Sequence, residues 1–132
     1  MSWQALSSDS FYFCPHNPSD LERAVLADAL KELPLVSRTQ LTNNVVLVSN
    51  VEKCLATLDS ITVKIAQTKA AFSIGNVARF PVYLRTDTEL FNGARYYRQR
   101  YPQHKSPFIF FIAALLEHEL SHIQRKTSES AA

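Results

Sequence analysis

The apolar positions change period several times along the chain, and each change predicts an element. Leu26, Ala29, Leu30 and Leu33 fall at i, i+3, i+4 and i+7, the spacing that gathers side chains on one face of an α-helix. Ser19 followed by Glu22 forms a capping box ahead of them and Pro34 a stop behind, so a first helix is expected near 20–33. Val45 to Val48 reads as a short buried strand. Val51, Cys54, Leu55 and Leu58 return to the helical period and predict a second helix near 50–59. Ile61, Val63 and Ile65 then alternate with Thr62 and Lys64, as a half-buried strand does. Two more strands are expected near 71–75 and 77–85. Pro81 has no N–H to give to a ladder, which confines the second of these to an edge or a strand start.

Thr86 and Asp87 can cap a third helix near 88–100, with Leu90, Ala94, Tyr97 and Tyr101 on one face and Pro102 as its end. Ser106 and Pro107 supply an N-cap and a proline at the first helical position of a last helix, expected from about 107 to 125. Its first half is apolar on every side, which places it at the centre of the molecule. Residues 1–17 read as an irregular arm that Phe11, Tyr12 and Phe13 pin to the body, and 18–132 as one domain. The sum is an α+β fold, helices around a small mixed or antiparallel sheet.

Composition narrows the function classes. With 132 residues there is room for one domain, and 46% apolar residues, eight Phe and five Tyr among the total, suffice for a core. A formal charge of +2 is too mild to argue for nucleic acid. Four basic residues interleave with tyrosines between Arg95 and Lys105, but a solvated helix face accounts for them equally well. Gly75 and Gly93 are the only glycines, so no glycine-rich phosphate loop exists. Cys14 and Cys54 make neither a metal-ligand spacing nor a disulfide framework, and Met1 to Phe13 lacks the pattern of a secretion signal; a reducing, cytoplasmic setting is the expectation. The longest apolar run, Phe108 to Leu116, has nine residues and is too short to span a membrane.

The chemistry gathers in His118-Glu119-Leu120-Ser121-His122. Residues i and i+4 of a helix lie one turn apart on one face, so His118 and His122 can offer two imidazole nitrogens to one ion about 2.0–2.1 Å away. Glu119 sits about 100° round the axis, where its carboxylate reaches a metal-held water without being a ligand. Neutral imidazoles suit Zn2+, which acidifies its water toward a pKa of about 7, and the carboxylate can take that proton as general base and return it to a leaving amine. Two ordinary histidines on the exposed half of an amphipathic helix are the alternative.

Leu115-Leu116-Glu117-His118-Glu119-Leu120-Ser121-His122-Ile123 resembles the signature of the zincin metallopeptidases. The resemblance implies a zincin-like fold, a peptide or protein substrate, Glu119 as the catalytic base, and His118 and His122 as zinc ligands. Zincins present this helix beneath a sheet whose edge strand lines the substrate cleft; Arg79 to Arg85 would be that edge. Gluzincin-type members take a downstream Glu as third ligand, and here Glu129 is the only one. On one unbroken helix Glu129 would lie about 10.5 Å along the axis from His122, too far to share an ion. The ligand role therefore requires a break, for which Lys126-Thr127-Ser128 offers a place; a frayed polar tail is the other reading. His104 and His16 are lesser ligand candidates, and Arg95, Tyr96 and Tyr97 candidate oxyanion donors. A zincin-like binding or regulatory module without turnover, or an unrelated α+β domain with a chance motif, remains the rival to the enzyme.

Overall fold

The computed structural model describes residues 18–54, 60–73 and 81–131, with the backbone alone at Cys54 and beyond Arg125. The expected arm over 1–17 lies outside the described residues. The first helix, α1, runs Asp20–Lys31, and its capping box is present: Ser19 N donates to Glu22 Oε1 at 2.8 Å while Glu22 N donates to Ser19 Oγ at 3.2 Å. Its far end is closed from outside. Arg38 donates to the carbonyls of Leu30 and Lys31 in the last turn and of Leu33 just beyond it, where C=O groups lack the partner that a continuing helix would give. Arg38 belongs to α2, Leu35–Leu41, a helix that the apolar pattern did not predict. Only Ser37 and Leu41 of α2 are buried, and Leu35 and Val36 point outward, so it carries almost no periodic signal. Asn43, at φ 66°, takes the left-handed turn into the sheet, a conformation that asparagine tolerates better than most residues.

Three strands form the sheet in the order β1-β3-β2, where β1 is Val45–Val48, β2 Ala71–Phe72 and β3 Val82–Arg85. β1 pairs with β3 in parallel and β2 pairs with it antiparallel. The sheet is covered on both faces, which is why all four β1 residues are apolar and buried. Val45, Leu47, Val82 and Leu84 face the larger core with α1 and the two C-terminal helices. Val46, Val48, Phe72 and Tyr83 face a smaller one with Val51 and Ala66, and the Phe72 and Tyr83 rings stack at 5.2 Å. Pro81 stands immediately before β3, so no ladder N–H is lost, as expected of a strand start. The edge assignment fails, because β3 has a partner on each side. The expected strand segments within 74–80 lie outside the described residues.

Two further assignments change. The second helix appears as α3, Val51–Cys54, and 55–59 lies outside the described residues. The strand expected at Ile61 to Ile65 is a helix, α4, Ser60–Ala66. Its sheet-facing pair is Val63 and Ala66, at i and i+3, while Ile61 and Ile65, at i and i+4, share the outward face. Alternation over five residues cannot separate these cases; the packing of Val63 and Ala66 against the smaller core goes with the helix.

α5, Glu89–Arg100, is capped by Thr88, whose hydroxyl accepts from Phe91 N; Thr86 instead donates to Val48 O, and Asp87 pairs with Arg85. Phe91 and Ala94 are its buried residues, whereas Tyr97 is half-buried and Tyr101 exposed. α6, Pro107–Ala131, packs against α1, α2, α5, β2 and β3. It is the central helix, although Phe108, Phe110 and Phe111 leave one side of its apolar half open to solvent. Gly93 lets α5 and α6 approach: a Cβ there would lie 3.0 Å from the Phe108 ring. Among the described residues six helices and three strands make up a mixed α+β fold, and no helix is long and apolar enough to cross a membrane.

Candidate metal centre

The register of α6 decides which way the motif faces. Ile109, Ile112, Leu116, Leu120 and Ile123 are all buried in the larger core. At 100° per residue, His118 lies about 200° from both Leu116 and Leu120, so burying the leucines turns it outward. His118 is exposed, and His122 and Glu119 are half-buried. α2 braces the same helix from its other flank. Ser37 Oγ donates to Glu117 Oε1 at 2.9 Å, and Gln124 Nε2 donates to Gln40 Oε1 at 2.7 Å. Glu117 Oε2 is buried with no hydrogen-bond partner among the described residues.

His118 and His122 converge as their spacing requires. The two Nε2 atoms are 2.9 Å apart, with the rings edge to face at 83°. One ligand atom each from His118, Glu119 and His122 can be chosen so that all lie within 4.8 Å of one another. Two nitrogens bound tetrahedrally at about 2.0–2.1 Å would stand about 3.3–3.4 Å apart. Opening the observed pair by about half an ångström would therefore admit zinc, and the donor set suits it.

The surroundings of His122 suit it less. Arg125 Nη2 lies 3.0 Å from His122 Nδ1. Guanidinium can only donate, so Nδ1 accepts, and the proton of the neutral ring sits on Nε2, facing His118 Nε2. A zinc-ligating histidine ordinarily donates its other N–H to a carboxylate or carbonyl.

The remaining candidates are dispersed. The α6 backbone is helical to Ala131, so the break that Glu129 needs is absent, and Glu129 lies about 10.5 Å beyond His122 along the axis. Its side chain lies outside the described residues, as does His16. His104 is on the exposed turn after α5, beside a crevice lined by Asp28, Glu32 and Lys105. Arg95 is engaged by Glu22, Thr86 O and Asn92, and Tyr96 points to solvent. The basic run is largely paired: Arg98 with Asp28 and Lys105 with Glu32, while Arg100 lies over the Tyr101 ring. Reading the sequence missed α2 and Arg125. The i, i+3 spacing of His122 and Arg125 could have exposed the second.

Compared with models of known protein families, with curated proteins and with solved structures, the chain finds no match.

Proposed function

We propose that this protein is a zinc-dependent hydrolase of the zincin type, holding the ion through His118 and His122 and cleaving peptide bonds with Glu119 as general base. The observation that carries the reading is the convergence of the two Nε2 atoms at 2.9 Å beside the Glu119 carboxylate. Bound zinc supplies a Lewis acid and an acidified water. The chain supplies the rest. The two imidazoles hold the site, and Glu119, next to His118 but not required as a ligand, takes a proton from the nucleophile and delivers it to the leaving nitrogen. The third protein ligand that the resemblance offers, Glu129, needs the last turns of α6 to unwind on loading. A Glu129→Ala variant that loses zinc as fully as His118→Ala would establish that.

A zincin-like binding module without turnover is the second reading. It is favoured by the position of β3, whose hydrogen-bonding edges are taken by β1 and β2, leaving no free edge there to pair with an extended substrate. The deciding experiment is digestion of a mixed peptide library at matched zinc occupancy by wild type and Glu119→Gln. The hydrolase reading expects zinc in both and cleavage reduced by about 10²–10⁴-fold in the variant. Equal cleavage removes Glu119 from the role; zinc without cleavage in either selects the binding module; no zinc in either ends both readings.

A further inference from the structure

The contact between Arg125 and His122 sets the imidazole against the metal. Arginine has five N–H donors, no acceptor and a charge that persists throughout the working pH range. With Nη2 3.0 Å from His122 Nδ1, it fixes Nδ1 as the acceptor and leaves the ring's one N–H on Nε2. That N–H points along the 2.9 Å line to His118 Nε2, so the three side chains form a relay running from Arg125 through His122 to His118. Ligation through His122 Nε2 requires a lone pair there and moves the hydrogen to Nδ1, where it would meet the guanidinium donor against donor. The guanidinium also places a positive charge one ring away from a dication.

We propose, resting on the zinc reading above, that Arg125 is a positioning residue that works against the metal: it holds His122 in the tautomer that cannot ligate through Nε2, and the site loads when the guanidinium withdraws. Among the described residues nothing covers the guanidinium. Arg125 is exposed on α6, and His122 Nδ1 is its only partner among the described residues. The usual outer partner of a zinc histidine, a carboxylate or carbonyl, raises affinity and is worth about 10–100-fold. Arg125 inverts that arrangement, so removing it strengthens binding and replacing it with an acceptor strengthens binding further.

The test is zinc affinity by chelator competition for wild type, Arg125→Ala and Arg125→Glu, together with the imidazole tautomers of the metal-free proteins from long-range ¹H–¹⁵N correlation. The expected order is Glu tightest, Ala about tenfold tighter than wild type, and wild type weakest. Metal-free wild-type His122 should carry its hydrogen on Nε2, with that preference reduced in both variants. Equal affinity across the three proteins, a weaker Arg125→Ala, or a wild-type His122 protonated on Nδ1 would overturn the proposal while leaving zinc binding intact. Zinc bound by none of the three ends this proposal and the zinc reading together.

Discussion

Glu22 carries more of the fold than its place in a helix cap suggests. Its side chain is 4% exposed, and its two oxygens do different work. Oε1 closes the capping box of α1 on Ser19 N, and Oε2 accepts from Arg95 Nη1 of α5 at 2.9 Å. Arg95 continues to the carbonyl of Thr86, so one carboxylate ties α1 to α5 and to the turn after β3. Glu22→Gln keeps the shape and an oxygen for Ser19, but removes the charge and turns an NH₂ toward the guanidinium. A hydrogen bond to a charged group is worth about 1.5–3 kcal/mol. Arg95 retains Thr86 and Asn92 and is 29% exposed, so solvent screens part of the loss and the lower end, about 1.5–2 kcal/mol, is expected. At about 3–5 °C per kcal/mol for a domain of this size, Tm falls by about 5–10 °C. Glu22→Ala also opens the capping box and costs about 1 kcal/mol more. Urea unfolding followed by circular dichroism measures the loss, and a cycle with Arg95→Gln isolates the pair, with a coupling of about 1 kcal/mol expected. A Glu22→Gln variant within about 0.5 kcal/mol of wild type, or strictly additive double mutants, would refute the argument.

The proposed zinc site predicts that free zinc at a hundredfold above Kd raises wild-type stability by about 2.7 kcal/mol, and that thermal melts of His118→Ala or His122→Ala show no such gain. Leu116, fully buried in the larger core, should cost about 2–5 kcal/mol when changed to Ala, measured by the same urea titration. Ile61→Glu tests the helical assignment of α4: at 70% exposure it should change stability by no more than about 0.5 kcal/mol, whereas a half-buried strand position would lose well over 1. Gly93→Leu drives a side chain into the Phe108 ring and should destabilise by about 1–3 kcal/mol, read from the shift in urea midpoint.

The sequence by itself determined the features that local geometry decides. The Ser19–Glu22 box, the proline-set starts of β3 and α6, and the shared face of His118 and His122 all follow from contacts within about four residues, and the unbroken apolar run Val45 to Val48 marks a buried strand whatever its partner. They hold in any fold that contains those elements. Tertiary structure decided what has no such local cause. Alternation at Ile61 to Ile65 fits a strand or a helix face, and it is the packing of Val63 and Ala66, at i and i+3, on the smaller core that distinguishes the helix. The interior place of β3 comes from pairing with residues 11 or more positions away, Phe72 with Tyr83 being the nearest pair, which no pattern within 82–85 encodes. α2 exists because Arg38, Ser37 and Gln40 find partners on α1 and α6, not because its own residues repeat. Helicity past Lys126 set Glu129 apart from His122, since Thr and Ser disfavour a helix interior by too little to break one already propagating. The outward aim of the histidines belongs to both levels: their spacing puts them on one face, and the burial of Leu116 and Leu120 turns that face to solvent.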